Sequence, residues 1–300
     1  MSTAAKMADP LQAQCARLGV LCSDFKLPTL ATELVPRFQK AGQQEALEVL
    51  LEVFELEAQD RLERRIDRLR RASHLPPGKT MGTLDQERLP RPLVQKLRSF
   101  GRADFLENAH NILCFGLPGT GKSHAASAIG HELVEAGHSV LFVPTYQLVQ
   151  QLLVAKRDLE LPGALRKLDL FELIILDDIG YVGQSSDEAE VLFTLMAERY
   201  ERRSMLITSN LVFSQWDRIF KNPMATAAAI DRLVHHAAIL EFDVPSYRTE
   251  DAKKRAATKP ETDDNSPPKG ATGRAVSTTT TTQAGDNYPA AVPATPEADA

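Results

Sequence analysis

The stretch that decides the fold is Asn111-Ile-Leu-Cys-Phe-Gly116-Leu-Pro-Gly119-Thr-Gly121-Lys122-Ser123. It reads G-x-x-x-x-G-K-S behind an apolar, strand-like run, and the residues from Ala125 to Leu133 read as a helix. Strand, glycine loop and helix are the setting that a phosphate-binding loop requires. Glycines let backbone N–H groups turn inward toward an anionic phosphate. The first turn of the helix adds free N–H groups and the positive end of its dipole. Lys122 is placed to reach the β- and γ-phosphates, and Ser123 to ligate Mg²⁺ through its hydroxyl.

Downstream of this stretch, strand and helix patterns alternate. Val140–Val143 is a short apolar run ending at Pro144, and Gln147–Lys156 follows at helical spacing. Leu165, Leu168 and Leu170 bridge to Leu173-Ile-Ile-Leu176, which reads as a buried strand. An amphipathic helix over Asp187–Arg202, a strand over Ser204–Thr208, a helix over Ala227–His235 and a strand over Ala238–Phe242 complete the series. Short apolar strands alternating with helices predict an α/β fold, a parallel sheet covered on both faces.

Upstream, the pattern is helical. Leu11, Cys15, Leu18 and Leu21 recur at helical spacing, a second helix starts near Pro28, and Gln44–Arg71 is the longest periodic run. That run is acidic at its start and arginine-rich at its end, as the helix dipole favours. The arginines are either a solvated face or a contact for phosphates or an acidic partner. Leu75-Pro-Pro-Gly78 ends the helix. The expected organisation is a small all-α domain over residues 1–75, a linker over 76–110, an α/β domain over 111–250 and a tail over 256–300. The tail holds five consecutive threonines and almost no large apolar residue, too little to offset chain entropy, so disorder is expected there.

Composition narrows the classes. An apolar fraction of 43% and a charged fraction of 25% are ordinary for a soluble protein. No window approaches the ~18 consecutive apolar residues that a membrane span needs. The N-terminus lacks a signal-peptide core, so export is not expected. Three cysteines, Cys15, Cys22 and Cys114, with no C-x-x-C pair, argue against a disulfide scaffold or zinc site and for a reducing cytoplasm. His235 and His236, adjacent on the expected helix, should point apart, and His124, His131 and His138 step by helical spacing. No histidine metal site is expected. The net charge of −5 sits largely in the tail, and a near-neutral body neither requires nor excludes nucleic acid.

The second part of the site is Leu173-Ile-Ile-Leu-Asp177-Asp178, hydrophobes ending in acids, the Walker B pattern. Ligands in such sheets bind beyond the C-terminal ends of the strands. Asp177 is expected to hold Mg²⁺ with Ser123, and Asp178 to orient the attacking water or take its proton. Asn210, at the tip of the fourth strand, is either a sensor of the γ-phosphate or a turn-forming asparagine. Arg232 is either a finger toward a neighbouring subunit's nucleotide or a surface partner of Asp231. Arg248 is either a phosphate sensor or a plain surface residue.

Gly116-Leu-Pro-Gly-Thr-Gly-Lys-Ser-His124, Leu176-Asp-Asp-Ile-Gly-Tyr181, Arg199-Tyr-Glu-Arg202, Ile207-Thr-Ser-Asn210 and Asp231-Arg-Leu-Val-His-His-Ala237 together resemble the IstB-like ATP-binding proteins. These are the transposition helpers of two-gene insertion sequences, related to the DnaC helicase loader. The resemblance runs from about Leu27 to Arg248. It implies an AAA+ fold, strand order 5-1-4-3-2, behind a small helical domain. It implies that Gly116, Pro118, Gly119, Thr120, Gly121, Lys122, Ser123 and His124 bind ATP, that Mg²⁺ is required, and that Arg232 acts across a subunit interface. It further implies an oligomer, duplex DNA bound with little sequence preference, and a transposase as partner. Arg64, Arg65, Arg68 and Arg71 are the basic candidates for DNA. Many relatives carry Asp-Glu where this chain has Asp177-Asp178. The side chain is one methylene shorter, so slow, regulatory hydrolysis is expected. A DnaC-like helicase loader and a small-molecule P-loop kinase are the alternatives. The loader would differ in its N-terminal partner surface, and the kinase would have no use for a sensor asparagine or a finger arginine.

Overall fold

The computed structural model describes residues 10–181, 185–220, 222–247 and 249–250. The expected tail and Arg248 lie outside the described residues. Three helices come first: α1 (Pro10–Asp24), α2 (Pro28–Lys40) and α3 (Gln44–Ala72). Leu18, Leu21 and Cys22 of α1 and Leu47 of α3 are buried together as apolar positions at helical spacing should be. Phe25 stacks on Phe54, with Arg61 lying over its ring.

The far end of α3 adjoins the α/β part. Arg65 donates to the Gly137 carbonyl, Arg70 pairs with Glu135, and the Ser73 carbonyl accepts the Phe142 N–H at 2.7 Å. Next come α4 (Arg91–Phe100) and α5 (Asp104–Glu107). Leu84, Leu89, Leu93, Leu97 and Phe105 from residues 76–110 join one of the two sheet-face cores.

The remaining elements alternate: β1 (Asn111–Gly116), α6 (Lys122–Glu135), β2 (Val140–Pro144), α7 (Thr145–Arg157), α8 (Leu161–Leu168), β3 (Leu173–Asp177), α9 (Ser186–Arg199), β4 (Ser204–Ser209), α10 (Asp217–Phe220), α11 (Pro223–Val234) and β5 (Ala237–Phe242). The strands are parallel in the order β2-β3-β4-β1-β5, which read from the other edge is the expected 5-1-4-3-2. Successive side chains on a strand face opposite ways. Leu113 and Phe115 therefore enter the core under α7, α9 and α11, while Ile112 and Cys114 enter the core under α6. Burial on both faces explains the unbroken apolar run at Leu173–Leu176.

Two local expectations are corrected. The bridge through Leu165, Leu168 and Leu170 overlaps a helix, α8, which accepts Pro162 because a first-turn N–H has no partner within the helix to lose. The helix expected to reach Arg202 stops at Arg199. The Arg199 guanidinium turns inward onto the carbonyls of Leu168, Phe171 and Ser204, and Glu201 takes a left-handed φ of 57°.

Candidate functional site

All five strands end at one edge, where β1, β3 and β4 deliver their last residues side by side. β1 and β3 flank β4, so the strands that carry Gly116 and Asp177 lie about 10 Å apart, two strand spacings. Gly116 turns the chain out of β1 with φ 152°. A Cβ there would lie 2.5 Å from the Phe242 carbonyl of β5, so only glycine fits. Gly121, at φ 99°, caps α6 with no side chain on the helix's free N–H groups. Those orphan donors and the helix dipole are what an anionic phosphate needs.

Lys122 is buried, and its ammonium folds onto the Gly116 and Leu117 carbonyls, 2.8 Å from each. Thr120 ties the loop to itself through the Leu117 carbonyl, and Pro118 is exposed. A cavity of 340 Å³ opens beside Gly119, Gly121, Lys122, Ser123 and His124. Its far wall is made by Lys79, Thr83, Leu84, Asp85 and Tyr247, none of which the loop motif foretold. Tyr247 donates its N–H to Gly119 and its hydroxyl to the Asp85 carbonyl, under the Arg88 guanidinium at 4.0 Å. His124 meets Thr80 and Thr83, and His131 meets the Pro76 carbonyl. The histidine spacing on α6 therefore pins residues 76–83 along the helix.

Asp177 closes β3, and its carboxylate accepts the Thr208 hydroxyl at 2.7 Å. Asp178 sits next to it with φ 58°. Asn210, just past β4, lies against Gly180, where a Cβ would collide with its amide. Its Oδ1 is buried and meets no donor among the described residues. The uncapped α6, the lysine and the acids at one edge suit a nucleotide carrying Mg²⁺. Beneath them, burial pushes the Cys114 thiol up to about 12, with Lys122 pulling it down and Asp177 pushing it up. Cys114 is a neutral core residue.

Arg232 is not part of this group. Its neighbour Leu233 accepts a hydrogen bond from Asn111, the first residue of β1. Its guanidinium lies 5.1 Å from the Phe193 ring and bonds the Ala228 carbonyl. It is thus rooted at the strand-start edge, on the sheet face opposite α6, and β1 alone spans about 17 Å between the edges. The same edge corrects the histidine expectation. α11 ends at Val234, so His235 and His236 lie in the turn after it with rings 4.1 Å apart, and their nitrogens gather with Glu201.

A family model described as IstB-like ATP binding protein matches residues 21–256. The chain belongs to the IstB-like ATP-binding protein family. An insertion-sequence ATP-binding protein of Sinorhizobium fredii (strain NBRC 101917 / NGR234) is 46% identical over 241 residues, 79% of this chain and 80% of that one. The IS21 ATP-binding protein of Pseudomonas aeruginosa is 33% identical over 79% of this chain and 90% of its own. Among solved structures, the DnaC helicase loader aligns with a TM-score of 0.44 at 17% identity, covering 59% of this chain and 99% of its own. The strand order and the loop after β1 are those of an AAA+ P-loop protein, and ATP is the ligand of this IstB-like fold. No helix among the described residues is long and apolar enough to cross a membrane.

Proposed function

We propose that this chain is a Mg²⁺-dependent ATPase that assembles on duplex DNA and stimulates a partner transposase. The observation that carries the reading is the separation of Arg232 from its own loop, in a chain whose relatives are insertion-sequence ATP-binding proteins. An arginine rooted at the far edge has a catalytic use only in a neighbour's site. ATP between two copies would then control assembly, and hydrolysis would release it. Gly119, Gly121, Lys122 and Ser123 would hold the phosphates, and Ser123 with Asp177 would hold Mg²⁺. The cation would supply positive charge to the β- and γ-phosphates. Asp178 would orient the water and Asn210 would sense the γ-phosphate. Residues 1–75 would carry partner and DNA contacts, and residues 111–250 the ATPase.

Arg65 reaches across to the Gly137 carbonyl, and Arg64 pairs at the surface with Glu57 on its own helix. Arg64, Arg68 and Arg71, all exposed, are the arginines we assign to DNA phosphates, which would displace Glu57 from Arg64. The test is fluorescence anisotropy with random-sequence duplex at low salt. Binding should require ATP, and the R64A/R68A/R71A chain should lose about 3 from the slope of log affinity against log salt. ATP-independent binding, or none, would remove the reading.

A further inference from the structure

Thr208 is the next-to-last residue of β4 and is 1% exposed. Nothing in the loop or Walker B patterns singles it out. Its hydroxyl makes two bonds at once, to Asp177 Oδ1 at 2.7 Å and to the Asp178 N–H at 2.8 Å. A backbone N–H can only donate, so the hydroxyl accepts there, and its single proton goes to the carboxylate. Both bonds act on groups that need holding. A carboxylate rotates over a broad range about its last torsion, and the Thr208 bond sets that angle. Asp178 has a left-handed φ of 58°, a conformation that side-chain-bearing residues adopt only when held there. The bond on its N–H helps to hold it there. From the other side, Thr145, fully buried, donates to the Asp177 carbonyl at 2.9 Å.

We propose that Thr208 is a positioning residue for the metal side of the site. Its hydroxyl takes one oxygen of Asp177, leaves the other to face the cation on the nucleotide, and sets the peptide that carries Asp178. The proposal rests on the Mg²⁺-nucleotide reading above. Outer-shell partners of this kind typically change metal affinity about 10- to 100-fold when removed.

The experiment compares wild type, Thr208→Val and Thr208→Ser by equilibrium binding of a fluorescent non-hydrolysable ATP analogue, in EDTA and across a Mg²⁺ titration. Valine keeps the shape and loses the hydroxyl; serine keeps the hydroxyl. The expected result is equal binding in EDTA for all three. The Mg²⁺ needed for half of the affinity gain should rise about 10-fold or more in the valine chain and return toward wild type with serine. An unchanged Mg²⁺ requirement in the valine chain overturns the proposal. So does a valine chain that loses the analogue in EDTA as well, since the hydroxyl would then be structural. Should circular dichroism show the valine chain unfolded, Thr208→Ala takes its place under the same criteria. A wild type with no gain from Mg²⁺ would sink the metal reading itself, and the role of Thr208 with it.

Discussion

The two edges of the sheet are built on opposite principles. At the strand-start edge, buried and half-buried side chains close off the backbone. Asn111 accepts from the Met205 N–H and donates to the Leu233 carbonyl, Arg199 donates to four carbonyls, and Glu172 accepts from Ser139 and meets His138. At the strand-end edge, α6 begins without a side-chain cap and Asn210 Oδ1 has no donor among the described residues. The first edge spends most of its polar groups on itself, Arg199 Nε being an exception, whereas the second leaves a helix N-terminus and an amide oxygen for a ligand. Arg232 is rooted at the closed edge, which makes its position hard to explain by service to its own nucleotide.

The largest effects should come from separating the edges genetically. Lys122→Ala should abolish ATP binding while leaving circular dichroism unchanged. Arg232→Ala should keep nucleotide affinity and lose about 10³-fold in turnover, the order of a missing finger. Mixing the two chains should restore hydrolysis that neither has alone. The Arg232→Ala site binds ATP and receives an arginine from the Lys122→Ala neighbour. Wild-type turnover in Arg232→Ala, or no recovery on mixing, would break the division of labour between edges.

Much of the open edge is legible in the sequence because it is local. The loop and the acids at the end of an apolar strand are contiguous, and burial on both faces writes β3 as an uninterrupted hydrophobic run. What joins them is not contiguous. Thr208 looks like any strand threonine until β4 is known to lie between β1 and β3. The cavity wall at Lys79–Asp85 and Tyr247 comes from segments 162 residues apart, as the Tyr247–Asp85 bond records, and no motif marks either. The closed edge is less legible for a related reason. The helical pattern runs on to Arg202 and gives no sign that Arg199 turns inward, and it sets His235 and His236 on a helix that ends before them.

Arg199 tests how far the closed edge depends on its clamps. Its side chain is 1% exposed, burial pushes its pKa down to about 10, and Asp169 works against that shift from 3.8 Å. The guanidinium joins the end of α8, the entry to β3 and the start of β4. Arg199→Leu keeps the apolar bulk and leaves those carbonyls unpaired, which should cost about 3 kcal/mol or more by urea unfolding. Nucleotide affinity of the folded fraction should be unchanged. A loss of affinity without a loss of stability would mean that the edges are coupled.

Glu172 gives the smallest effect and the one with a sign in pH. Burial raises its pKa, but the Ser139 N–H and His138 outweigh it, and the net value lies below the ordinary 4.5. A carboxylate held below its unfolded value adds stability above that value. The contribution is lost as pH falls through the folded-state pKa. Glu172→Gln should therefore be less stable than wild type at pH 7 by about 1 kcal/mol, a figure kept small because the side chain is partly exposed. The gap should close as pH drops below 4.5, as urea midpoints at successive pH values would show. A deficit that stays constant down to acid pH would mean that Glu172 acts through packing. The closed edge would then owe nothing to charge at this point, and the contrast with the ligand-binding edge would rest on Asn111 and Arg199 alone.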